Sequence, residues 1–154
     1  MSANSTAISH GIEAKNASQV ALVLLGRLLF VLIFLNSGLG NFSKQTIAYG
    51  ASHGVPLASL TVPAAGVVAL AGGLSVLLGY RAKIGAWLIF IFLVPVTLTM
   101  HNFWDVADPA VWQTQFVMFM NNVSMLGGAL LISQFGAGPF SLDARFAEAN
   151  SKMK

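Results

Sequence analysis

The chain has no cysteine. That excludes a disulfide framework, a thiolate metal site and a dithiol relay. Charge is nearly as scarce, at 8% of 154 residues, where a soluble domain carries about 25%. Hydrophobic residues make up 56%, and the mean hydropathy is +0.75. So little polar surface cannot cover a water-soluble globule, and the composition reads as an integral membrane protein. No basic cluster points to nucleic acid. No motif for a protein metal site appears, and one intramembrane histidine, His101, makes no bis-histidine haem site within a monomer; His53 of the outer loop joins it only if that loop folds back. Motifs for hydrolysis or phosphate cradling are missing too.

What is present is four apolar runs, at 18–40, 61–79, 84–100 and 116–135. Each has about the 17–25 residues that a spanning helix needs, and each is too long and continuous for a barrel strand. In lipid, a helix satisfies every backbone group within itself. The fold expected is therefore an all-α integral membrane bundle of four transmembrane helices. Residues 1–16 read as a flexible polar tail, too polar for a secretory signal. Residues 17–143 read as the domain and 144–154 as a second polar tail. Pro63 is placed in the first turn of the second helix, where its missing N–H is harmless. Pro95 falls inside the third and frees a carbonyl near Ile91, with Thr97 or Thr99 at hand to re-satisfy the backbone.

Charge placement sets the expected orientation. Lys15, Arg81, Lys83, Arg145, Lys152 and Lys154 flank the tails and the second connection, whereas Lys44 is alone in the other two connections. The positive-inside rule then puts both termini in the cytoplasm and the loops 41–60 and 102–115 outside. Trp104 and Trp112 suit the outer interface, Tyr80 and Trp87 the inner one. Small residues recur at Ala65-Gly66, Ala69, Ala71-Gly72-Gly73 and Gly127-Gly128-Ala129. They read first as devices for close helix packing; the Gly72-Gly73 pair also leaves room for a flat cofactor.

No Asp or Glu lies in any of the four runs, which argues against a proton-coupled antiporter. The polar residues that do lie in or beside them are the candidate ligand-binding set: Arg27, Asn36, Lys44, His101, Asn121 and Asn122. Arg27 either snorkels to the headgroups or is buried against a neutral acceptor, a ligand, a lipid or another subunit. Asn36 lies nine positions on; at about 100° per residue the two fall on opposite faces. His101 reads either as an interfacial imidazole or as a proton-handling, quinone-carbonyl-binding group, with Asp105 four residues on to orient it. Asn121 and Asn122 read as interhelical hydrogen-bond glue or as cavity lining. Depth suggests one polar cluster of Asn36, Lys44, His101, Asn121 and Asn122, with Arg27 below it.

At these residues the sequence resembles the DoxX family of small bacterial membrane proteins. The likeness runs from Gly26 to Asp143 through GRLLFVLIFLNSGLGNFSK, HGVP, AGGLSVLLGYRAKIGAW, HNFW, FMNNVSMLGGALLI and GAGPFSLD. It implies a four-helix inner-membrane bundle of the plasma membrane, in a family named from a subunit linked to a terminal quinol oxidase and thiosulfate:quinone oxidoreductase. It also implies that Arg27, Lys44, His53 and His101 hold family-typical polar positions, and that Ser141-Leu142-Asp143 belongs to the domain. Ala69 stands near where members often carry an acid, and Asn121 where a Lys is common. The function expected from the resemblance is a membrane component of a respiratory or oxidative-stress redox system. It would bind a quinone and work with an oxidoreductase subunit or as a homo-oligomer. The rival is a non-catalytic scaffold or lipid-binding subunit; a small-solute transporter is a third, weaker reading.

Overall fold

The computed structural model describes residues 2–153, with side chains from residue 17 onward. The polar tail at 1–16 lies outside the residues whose side chains are described. Among the described residues six α-helices follow one another: α1 (Ser2–Gly40), α2 (Lys44–Ser52), α3 (Ala58–Leu78), α4 (Ala82–Met100), α5 (Pro109–Phe135) and α6 (Leu142–Lys152). A short 3₁₀ turn, Phe103–Asp105, joins α4 to α5. Four spans are long and apolar enough to cross a membrane: Ala17–Gly40, Ala58–Leu78, Ala82–Asp105 and Pro109–Phe135. The molecule is an all-α four-helix membrane bundle.

In lipid the surroundings are as apolar as the core, so packing depends on how closely backbones approach. Glycines set that approach. A Cβ on Gly38 of α1 would lie 3.0 Å from the Gly66 carbonyl oxygen, and one on Gly66 of α3 only 2.8 Å from that of Gly38. Gly72 of α3 and Gly85 of α4 meet in the same way, at 2.9 and 3.0 Å. The spaces beside Gly72 and Gly73 are filled by Ile89 and by Leu35, so the pair serves packing and leaves no slot for a flat cofactor. The helices neighbour one another in the order α1, α3, α4, α5, and α1 reaches α5 through the Phe30 ring laid over Gly128. Val31, Phe34, Ala69, Val76, Ile89, Phe92 and Ala129 form the core, while leucines such as Leu29 and Leu131 face outward.

Several boundaries differ from the sequence reading. Pro63 is in the interior of α3, not its first turn, so the Ser59 carbonyl lacks its usual donor. The loop expected at 41–60 contains α2, started by Ser43 Oγ accepting from the Thr46 amide at 3.1 Å. Helix α5 begins at Pro109 rather than near Phe116. Its start is fixed by capping: Asp108 Oδ1 accepts from the Ala110 and Val111 amides, both at 2.9 Å, with proline at the first helical position. The polar stretch after 143 is mostly helix α6, capped by Ser141 Oγ at 3.1 Å from the Ala144 amide.

The bundle has two unlike ends. The turn end holds the tight α3–α4 connection and residues 136–143. The loop end holds α2 and the aromatic α4–α5 connection. There the Phe103 ring packs edge-on to Trp104, Trp112, Phe116 and Phe119, so a π-cluster fastens the start of α5.

Candidate functional site

The loop end contains a cavity of about 550 Å³, within the range of small-ligand sites. Its walls come from the end of α1, from α2 and the link to α3, and from α3 and α4. Most of the lining is apolar: Val62, Val68, Ile91, Phe92 and Val96 are examples. Polar groups are few, namely Ser37 and Asn41 after it, Thr46 and Tyr49 of α2, Thr61, Thr99 and His101.

Local sequence explains how the cavity forms. Helix α2 lies on α3 because Gly50 offers no side chain there; a Cβ would meet Val62 Cγ2 at 2.8 Å. Proline 95 cannot donate to the Ile91 carbonyl, and both residues line the space. The two threonines do not repair that gap. Thr97 Oγ1 donates to the Leu93 carbonyl at 2.6 Å and Thr99 Oγ1 to the Pro95 carbonyl at 2.7 Å.

His101 is the imidazole that lines the cavity, and α5 holds its ring. Nδ1 lies 2.9 Å from Gln115 Oε1. An amide oxygen can only accept, so Nδ1 donates, and in the neutral ring Nε2 remains an acceptor. Asp105, expected to orient the ring, accepts instead from Asn102 Nδ2 at 2.9 Å. Gln115 was not singled out in the sequence. Its signal was a glutamine immediately before an apolar run, in a stretch that reads as loop until Asp108 and Pro109 are taken as a helix start.

The expected polar cluster does not assemble. Asn36 is exposed, on the face of α1 opposite Arg27, as the spacing requires, although its neighbour Ser37 does line the cavity. Lys44 is exposed in the first turn of α2, and Asn121 is exposed on α5. Asn122 is buried among the α5 residues that face the bundle, with Ala129 and Ser133. Neither asparagine of α5 lines the cavity. His53 ends α2 with its ring 4.1 Å from that of Tyr49 and its Nδ1 3.0 Å from the Tyr49 carbonyl.

Arg27 belongs to the other end of the molecule. It shares the buried stripe of α1 with Val31, Phe34 and Gly38 and is only 5% exposed. Of the alternatives raised by the sequence, the structure has the neutral acceptor: Nη2 donates to the Phe140 carbonyl at 2.9 Å. Nε and Nη1 are buried without a partner. Beside it, Asp143 closes the α3–α4 turn. Its Oδ1 accepts from the Arg81 amide at 2.8 Å and its Oδ2 from the Ala82 amide at 3.0 Å, while its own amide donates to the Gly79 carbonyl at 2.9 Å. Among the described residues no group of three or more His, Cys, Asp or Glu could hold a metal.

Known proteins share this layout by sequence. The DoxX family model matches residues 22–102, a stretch that includes every residue lining the loop-end cavity. The inner membrane protein YphA of Escherichia coli is 31% identical over 134 residues, covering 84% of this chain and 93% of the relative. The inner membrane protein YqjF of the same organism is 28% identical over 79% of this chain and 88% of its own length. The ER-derived vesicles protein ERV29 of Saccharomyces cerevisiae is 25% identical over 80% of this chain and 33% of that protein. No solved structure matches. With four apolar spans and relatives of near-equal length in the inner membrane, this multi-pass inner-membrane protein belongs to the DoxX family.

Proposed function

We propose that the loop-end cavity binds a lipid-soluble ligand with a flat head carrying carbonyl or hydroxyl groups, a quinone or quinol. The protein would then be the membrane component of a respiratory or oxidative-stress redox system. The observation that carries this reading is the pairing of His101 with Gln115 at 2.9 Å, with His101 on the wall of a mostly apolar cavity of about 550 Å³. A ring held through Nδ1 has Nε2 available as an acceptor for a quinol hydroxyl, or as a donor to a quinone carbonyl when protonated. Ser37, Thr46 and Tyr49 are further residues of the lining with polar groups, and the apolar walls suit a ring and the start of its tail. Arg27, at the turn end, takes no part. Electrons would pass through a partner oxidoreductase subunit. The loop end would face the periplasm and both termini the cytoplasm, in keeping with Arg81, Lys83, Arg145 and Lys152 at the turn end against Lys44 at the other.

One observation favours the second reading, a scaffold or lipid-binding subunit. The amides of Asn36 and Asn121 are exposed on spanning helices with no hydrogen-bond partner among the described residues. Polar groups so placed favour a neighbouring helix from another chain.

The test is mass spectrometry of lipids and quinones extracted from protein purified in mild detergent. A stoichiometric quinone that is lost in His101→Ala and kept in Arg27→Met supports binding in the cavity. Bulk phospholipid alone, the same in all three proteins, favours the scaffold.

A further inference from the structure

A second pocket lies at the turn end, about 530 Å³ in volume. It is bounded by the start of α4 and by residues 135–144. Arg81 and Lys83 stand on its wall, and neither has an ion-pair partner among the described residues. The Lys83 side chain lies across Gly136, where an added Cβ would be 3.8 Å from its Cε. Among the described residues Asp143 is the only acidic group in the lining, and both its oxygens are already occupied by the Arg81 and Ala82 amides. Its charge is partly offset by the N-terminal end of α4, and two cations against one carboxylate leave the lining with a net positive charge.

Behind the wall stands a third cation. Arg27 Nη1 would lie 2.6 Å from a Cβ on Gly79, and that position also abuts Ser141, a lining residue. The guanidinium is buried with two unpartnered nitrogens, so its positive potential is uncompensated there. The mouth, in contrast, is apolar: Phe135 is 81% exposed and Ile84 is exposed beside it. Basic groups at a bundle end with apolar side chains next to them match the two halves of a lipid.

We propose that this pocket binds an anionic glycerophospholipid, with its phosphate between Arg81 and Lys83 and its acyl chains along Ile84 and Phe135. The site is separate from the loop-end cavity and does not depend on what that cavity holds. Its recognition is by charge: a zwitterionic headgroup brings an ammonium to the same cations and is disfavoured.

Native mass spectrometry of the full chain, delipidated in detergent, tests this with three probes: phosphatidylglycerol, phosphatidylethanolamine and inorganic phosphate. The expected result is one phosphatidylglycerol per chain, retained about tenfold over phosphatidylethanolamine. Each cation removed should weaken retention about fivefold, so Arg81→Gln with Lys83→Gln should weaken it about 25-fold. Lys44→Gln, at the opposite end, should change nothing. If the double variant is not monodisperse and helical, Lys83→Gln alone is read, since Lys83 is exposed. Equal retention of the two lipids would overturn the proposal. So would retention unchanged in Lys83→Gln, an equal loss in Lys44→Gln, or a site that takes inorganic phosphate with no preference for the lipid.

Discussion

The two ends of this bundle are built on opposite plans. At the turn end, three polar ties converge within a few residues: Arg27 to Phe140, Asp143 to the start of α4, and the Asp143 amide to Gly79. At the loop end, α4 carries a proline, α2 rests on α3 through Val62, and a cavity occupies the space between. Rigid closure at one end allows an opening at the other without loss of the helix arrangement. The comparison makes a general prediction: substitutions in the turn-end ties change stability, and those around the loop-end cavity change what that cavity holds.

The largest loss of stability is expected for Gly79→Val. The residue has φ +65°, and its missing Cβ makes room for Ser141 and Arg27. The left-handed backbone costs an L-residue about 1–2 kcal/mol, and overpacking adds about 1–3 kcal/mol. Thermal unfolding in detergent should show it, together with low yield. A variant as stable as wild type would mean that the turn is looser than its geometry implies. Next comes Asp143→Ala, which uncaps α4 and should cost about 1–3 kcal/mol. Asp143→Asn should recover part of that, because one oxygen still accepts.

The fold was open to a sequence reading because lipid imposes one simple rule. Spans must be long, apolar and helical, and the four runs could be marked from hydropathy alone. The opposition of Arg27 and Asn36 on α1 also followed from spacing, whereas which of the two faces is buried did not. The site was harder to read because depth is not direction. Asn36, Lys44, Asn121 and Asn122 share a level with the cavity, but three of them point outward and Asn122 packs against the bundle. Helix α2 was hidden because its polar composition resembles a loop. Gln115 was hidden because it sits in the polar first turns of α5. Arg27 finds its acceptor in Phe140, 113 positions away, a pairing that no local pattern announces.

Intermediate effects come from single members of each end. Arg27→Met removes a charge-assisted bond to Phe140 but also two unpartnered buried donors. Opposed terms of this kind leave a net change below about 2 kcal/mol. The local effect should be clearer: amide exchange at Asp143 and Ala144 should speed up as the 136–143 segment loosens, and Arg27→Lys should restore part of the protection. Unchanged exchange would remove Arg27 from the set of ties. At the loop end, Gln115→Leu frees the His101 ring. Its unfolding temperature should match a loss of no more than about 1 kcal/mol, while retention of the extracted ligand should fall. Equal retention would show that the ring needs no fixing by α5.

The smallest effect separates the cavity from the surface. Asn36→Leu and Asn121→Leu replace exposed amides on spanning helices by a side chain that suits lipid. In an isolated monomer both should be neutral within about 0.5 kcal/mol or slightly stabilising, with ligand retention unchanged, because neither residue lines the cavity. Size-exclusion chromatography with light scattering should give one mass for wild type and both variants. A fall in oligomer mass in either variant would mean that these amides meet another helix. The loop end would then differ from the turn end in a second way: one end closes on its own chain, and the other waits for a partner.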